Sequence, residues 1–211
     1  MLKKLGMMLI ALMLPLAASA ENEAGFKEGV HYAVLPFPVK TADANRVEVV
    51  EAFGYPCPHC NSFEPLVQNW ESKKAEDVNF VRLPVVFGRS WEPFARAYYS
   101  SELLKTVEKT HVPTFNAVHV ERRRFGNKDQ LVEFYGKLGV DEAKFSKMFD
   151  SFAVTMKLRQ GDSKLRGYGI TGVPSMVVNG KYRITAQMAG SHQKMLEVVD
   201  YLVAKERKAA Q

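Results

Sequence analysis

Cysteine is almost absent from this chain: 211 residues carry two. With no third thiol for a framework of bridges, the pair can bond only to each other, to a substrate or to a metal. Also lacking, beyond the N-terminal segment, is any unbroken apolar run near the roughly 18 residues that a membrane-spanning helix needs. Internal repeats and low-complexity stretches are missing too. No basic stripe interleaved with stacking aromatics occurs, so nucleic acid is not an expected partner. The densest basic cluster, Arg122 to Arg124, is an isolated triplet and reads as a solvated helix face.

What is present begins with a leader. Lys3 and Lys4 precede an apolar run from Leu5 to Leu16, and Ala18-Ser19-Ala20 has the small-x-small form of a cleavage site. This predicts a secretory signal peptide over residues 1–20 and a soluble, exported mature chain starting near Glu21. Loss of Lys3 and Lys4 reduces the net charge of +6 to about +4, ordinary for solubility. Export places the chain where disulfides form and persist. About 190 residues bury a full core without staples, so the two cysteines are expected to be chemical rather than structural.

The segment from Phe26 to Pro38 looks extended, with Val30, Tyr32, Val34 and Phe37 spaced by turn residues. Val47–Phe53 reads as a buried strand and Val78–Leu83 as another, stopped by Pro84. With the helical pattern between them they make a βαβ unit. Residues 90–166 then switch to helical spacing, with helices expected over Trp91–Val107, Pro113–Arg124, Lys128–Leu138, Asp141–Phe149 and Ala153–Tyr168. Asn127 and Asp141 mark two of the starts. Strands return at Ser175–Val178 and Lys181–Ile184, joined by Asn179-Gly180, a pair suited to a type I′ turn. A last helix starts at Ser191, and Lys205–Gln211 reads as a frayed tail. The fold class is α/β, with a helical subdomain set between two parts of a sheet.

Cys57-Pro58-His59-Cys60 stands where the first buried strand turns into a helix. Pro58 fits the first helical position, since its missing N–H would have had no partner there. The free N–H groups of that turn favour negative charge on the Cys57 sulfur and predict a depressed thiolate pKa. His59 adds to this through its N–H donors or partial charge. Cys60, one turn on, points back into the protein and resolves the mixed disulfide formed at Cys57. Stabilising the thiolate stabilises the reduced protein, so the disulfide should be an oxidant of other proteins. His31, His111, His119 and His192 show no chemical setting and read as surface or packing residues.

With Phe53 to Cys60 as one motif and Gly172 to Tyr182 as a second, the chain resembles the DsbA family of thiol:disulfide interchange proteins over Phe26–Lys205. The resemblance implies a thioredoxin fold formed by residues 21–89 and 167–211, with residues 90–166 as an inserted helical domain. It implies a periplasmic dithiol oxidase that needs no cofactor or metal beyond the Cys57–Cys60 disulfide. Cys57 would be the exposed, nucleophilic sulfur and Cys60 the buried one. Val173-Pro174 would form a cis peptide beside them, leaving the Val173 backbone free to pair with an extended substrate. Newly exported, reduced proteins are the implied substrates, and a DsbB-type membrane quinone reductase the implied reoxidant. The resemblance also marks Glu51 and Glu64 as acids near the buried sulfur, with Arg82 as their basic partner. A charge at Glu51, on an apolar strand face, is costly unless paired. Both acids are candidates for shuttling the Cys60 proton.

Three rival readings share these residues. A reductant or isomerase uses the same attack chemistry, but only about 25 residues precede the first strand, leaving no room for an added dimerisation domain. A metal site would use Cys57, Cys60 and a histidine, short of the four ligands of structural zinc. A holdase would work through the helical domain and keep its activity without either cysteine. A monomer is the simplest expectation.

Overall fold

The computed structural model describes residues 25–209. The leader expected over residues 1–20 lies outside them. A single five-stranded sheet has the order β1-β5-β4-β2-β3, with β1 at Ala33–Val34, β2 at Val47–Phe53, β3 at Val78–Pro84, β4 at Ser175–Val178 and β5 at Tyr182–Thr185. β2 and β3 are parallel, joined through the helix α1 (Pro58–Glu71). β4 pairs antiparallel with both β2 and β5, and β1 antiparallel with β5.

Helices cover both faces, which is why β2 is apolar almost throughout. On one face Val49 packs with Phe63 and Val67 of α1 and with Met195, Val199 and Leu202 of the last helix. On the other, Val50, Ala52 and Leu83 meet Leu165 and Tyr168. Between β3 and β4 the chain makes five consecutive helices: α2 (Glu92–Leu103), α3 (Val107–His119), α4 (Lys128–Lys137), α5 (Glu142–Phe149) and α6 (Phe152–Gly167). Two short-range capping expectations are met: Asn127 accepts from the Gln130 N–H at 3.1 Å and Asp141 from the Lys144 N–H at 2.9 Å. After β5 come the single turn α7 (Ala186–Ala189) and α8 (His192–Ala209).

The β4–β5 connection uses positive φ at both Asn179 (50°) and Gly180 (63°), as a type I′ turn requires. Gly180 is also needed for space, because a Cβ there would stand 2.0 Å from the Val39 carbonyl oxygen.

Four expectations need correction. The extended N-terminal segment contributes only the two residues of β1, and Phe37 stays exposed. The helix expected over Trp91–Val107 stops at Leu103 because Lys105 turns to φ 57°, and α3 then runs through Pro113 instead of starting there. Burial of Thr110, Thr114, Phe115 and Ala117 on either side of the proline holds that helix against its local preference. Arg122–Arg124 lie beyond α3, not on a helix face, and the Arg123 guanidinium sits 5.4 Å and 5.0 Å from the ring centres of Phe125 and Phe134. The supposed frayed tail is helical to Ala209: Glu206 is buried and accepts from Lys181 Nζ at 2.6 Å and Tyr182 Oη at 3.0 Å.

Candidate active site

Cys57 is the N-cap of α1, with φ −85° and ψ 116°, and Pro58 is the first helical residue. The Cys60 N–H donates to Cys57 Sγ at 3.3 Å, and the Cys57 N–H donates to the Gly54 carbonyl at 3.0 Å. Both cysteines are free thiols. The Cys57 pKa falls from 9.0 to about 6, first because the Cys60 side chain hydrogen-bonds the sulfur. Burial opposes the fall, and the backbone N–H groups of Cys60 and His59 reinforce it, with the charge of His59 a smaller contribution. The dominant donor is thus the second cysteine, with His59 less important than its place in the motif implies. Cys60, wholly buried, has its pKa driven far up, by burial first and then by the neighbouring Cys57.

Pro58 and His59 are exposed. Cys57 itself is only 6 % exposed, where the resemblance implies an exposed sulfur. It shares an aromatic cluster with Phe53, Tyr55, Tyr98 and Phe115, and in its thiol form its Sγ donates to the Val173 carbonyl at 3.5 Å. The Val173–Pro174 peptide is cis. Beside it opens a groove of about 440 Å³ lined by His59, Thr171, Val173, Pro174, Gln187 and His192. Gly54 belongs to the same close packing: a Cβ on it would stand 2.3 Å from the Trp91 ring.

Behind the thiols lies an acid cluster built by register and helical phase together. Glu51 stands opposite Arg82 in the β2–β3 ladder, and Glu64 projects from α1 one turn after Cys60. Arg82 meets three carboxylates: Glu51 Oε2 at 3.3 Å, Glu64 Oε1 at 3.4 Å and Glu71 Oε2 at 2.9 Å. The Glu51 contact is an ion pair by distance but not aligned as a hydrogen bond, so neither Glu51 oxygen has a hydrogen-bond partner among the described residues. Burial pushes the Glu51 pKa up to about 8 against the pull of Arg82, and the charges of Glu64 and Glu71 push it further. For Arg82, burial favours the neutral form, but the three glutamates outweigh it and raise its pKa.

Sequence reasoning missed the histidines of α3. His111 is buried, with Nδ1 2.8 Å from Tyr55 Oη and Nε2 3.2 Å from Glu64 Oε2. His119 Nε2 lies 2.7 Å from the Tyr55 carbonyl oxygen, so it donates there. Tyr55, two residues before Cys57, is therefore held at both ends by one helix. No signal in the sequence joins residues 55, 64 and 111, because that contact depends on how the helices dock. His192, at the start of α8, faces the ring of His59 across the groove with centroids 6.5 Å apart. Among the described residues no three His, Cys, Asp or Glu side chains converge to hold a metal ion.

A cysteine pair at the helix N-terminus that follows β2, an interior strand of a thioredoxin-like sheet, one thiol acidified and the other buried, defines a thiol:disulfide oxidoreductase. The family profile of the DSBA-like thioredoxin domain matches residues 91–200. The thiol:disulfide interchange protein DsbA of Pseudomonas aeruginosa is 37% identical over 204 residues, covering 97% of this chain and 95% of that protein. DsbA of Pseudomonas syringae pv. tomato is 38% identical over 192 residues, 91% of this chain and 90% of the other. The crystal structure of Pseudomonas aeruginosa DsbA superimposes with a TM-score of 0.85 at 37% identity, over 88% of this chain and 97% of that one. DsbA from Xylella fastidiosa gives 0.79 at 34% identity, over 84% and 96%. The chain belongs to the DsbA family.

Proposed function

We propose that the protein is a periplasmic dithiol oxidase that donates its Cys57–Cys60 disulfide to newly exported, reduced proteins and is reoxidised by a DsbB-type membrane quinone reductase. The observation that carries this reading is the contrast within the pair: Cys57 acidified to about 6 and Cys60 held as a thiol. A substrate thiolate attacks Cys57 Sγ, the S–S bond breaks, and Cys60 leaves as a thiolate that takes up a proton. A second substrate thiolate attacks the substrate sulfur of the mixed disulfide and releases Cys57 as its stable thiolate. Two substrate thiols are oxidised to a disulfide, and the cysteine pair gains the two electrons.

Glu51, neutral up to about pH 8, supplies the proton that Cys60 takes up and recovers one during reoxidation, with Glu64 and Arg82 as its charged neighbours. Pro58 and His59 shape the first turn around the thiolate. Val173 and Pro174 frame the groove in which an extended substrate segment would lie, with the Val173 backbone as its pairing partner. The thioredoxin-like part comprises residues 21–89 and 167–211, and the helical unit 90–166, after a leader over 1–20 is removed. The working protein is a monomer.

The test uses oxidised protein and a reduced, unfolded protein with two cysteines. Donation predicts substrate disulfide formed in step with dithiol protein, and a Cys60→Ser variant, its Cys57 first loaded as a mixed disulfide with glutathione, trapped on the substrate through Cys57 as glutathione leaves. Absence of trapping, or linkage through another residue, removes the mechanism. Unchanged Cys60 exchange rates in both Glu51→Gln and Glu64→Gln would remove the proton shuttle alone.

A further inference from the structure

Arg82 is the sole Lys or Arg partner that Glu51, Glu64 and Glu71 share among the described residues. One guanidinium cannot balance three buried or half-buried carboxylates, so the cluster keeps a proton, and the hydrogen bonds decide where. Glu71 is the most exposed of the three and has the shortest contact with Arg82, 2.9 Å. Glu51 has no aligned hydrogen-bond partner among the described residues, only the 3.3 Å charge contact with Arg82. Glu64 is the swing member, because it is as buried as Glu51 in practice yet holds two donors, Arg82 at 3.4 Å and His111 at 3.2 Å.

We propose that His111 is a positioning residue for the exchange reaction: by donating its Nε2–H to Glu64 it keeps that carboxylate charged, and so places the proton of the cluster on Glu51, beside Cys60. An ionised carboxylate only accepts, so Nε2 carries the hydrogen. A neutral ring has no second one, so Nδ1 accepts from the Tyr55 hydroxyl. Enclosure of the ring by Phe53, Tyr55, Tyr98 and Phe115, with centroids 5.1 to 5.9 Å away, keeps it neutral. The titratable and charged groups facing it are Tyr55 from the β2–α1 loop, Glu64 and Glu71 from α1, Arg82 from β3 and Tyr98 from α2. Those facing Glu51 are Arg82, Glu64, Glu71, Cys60 and Tyr98. The helical unit thereby sets the charge state behind the thiols through His111.

This deepens the proton-shuttle reading, but its test does not depend on turnover. In ¹⁵N-histidine-labelled unaltered protein, His111 is expected as the neutral Nε2–H tautomer at pH 7; an Nδ1–H tautomer or an imidazolium overturns the proposal. In ¹³C-carboxyl-glutamate-labelled protein, with the Glu51 signal assigned by Glu51→Gln, His111→Leu should lower the Glu51 titration midpoint by about one pH unit, a tenfold loss of proton affinity. His111→Gln, whose amide can donate and accept, should restore most of it. An unchanged midpoint in the Leu variant, or equal shifts in both variants, overturns the assignment. Should the Leu variant not fold, the tautomer in the unaltered protein decides. Failure of the shuttle itself would read differently: Glu51→Gln would leave exchange rates unchanged while the spectra stayed as expected.

Discussion

Arg82 faces Glu51 across the parallel β2–β3 pair with 3.3 Å between Nε and Oε2, yet the two do not align as a hydrogen bond. Glu51 is therefore a buried acid with a raised pKa, about 8 against 4.5 for the free side chain. Between those values the unfolded chain has released the proton that the native state still binds, so this group lowers stability as pH rises through the window. Glu51→Gln removes that slope. Its stability should match the parent near pH 5 and exceed it by on the order of 1–3 kcal/mol at pH 8, read by denaturant unfolding at both pH values. A gap that does not widen with pH contradicts the protonation assigned to Glu51.

The acidity of Cys57 rests first on the thiol of Cys60. Cys60→Ala deletes that donor and leaves the backbone N–H groups in place. A hydrogen bond to a charged group contributes roughly 1.5–3 kcal/mol, so the Cys57 pKa should rise by about one to two units. Alkylation rate against pH reads it directly, and a midpoint still near 6 would shift the credit to the helix N-terminus.

The same depressed pKa predicts how the reduced protein responds to pH. The unfolded thiol titrates near 9.0 and the native one near 6, so the stability from the thiolate is complete above 9.0 and is lost as pH falls through 6. Thermal unfolding of the reduced protein should show a rise in relative stability from pH 6 to 9 that Cys57→Ser lacks. Parallel curves for the two proteins would contradict this.

Glu206 ties α8 to the β4–β5 hairpin through Asn179, Lys181 and Tyr182. Glu206→Ala leaves the buried Tyr182 hydroxyl and the partly exposed Asn179 and Lys181 without their shared acceptor and should cost on the order of 2 kcal/mol in unfolding free energy. Removal of residues 205–211 should cost at least as much, whereas a true frayed tail would be lost without effect.

Legibility in the sequence followed the range of the interaction. The Cys57–Cys60 turn, the Asn179-Gly180 turn and the caps at Asn127 and Asp141 are set by neighbours a few residues apart, and each has its own chemical signature. Strand alternation places Glu51 on the face it shares with Val49, and helical phase places Glu64 behind Cys60. Pro113 inside α3, the helical C-terminus and the setting of His111 were not legible. Each depends on packing between segments far apart in the chain, which overrides local preference and leaves no periodic trace. The Lys105 break was hidden for another reason: a lysine at positive φ carries no signature like that of Gly or Asn.

The central claim is that thiolate stabilisation at Cys57 makes the disulfide an oxidant. The most direct measurement equilibrates the protein in glutathione buffers of graded redox ratio and quantifies, by thiol alkylation, the fraction holding the Cys57–Cys60 bond. The pair is expected to stay reduced until the buffer is mostly oxidised glutathione. A pair already oxidised in strongly reducing buffer would make the protein a reductant and reverse the direction assigned to it.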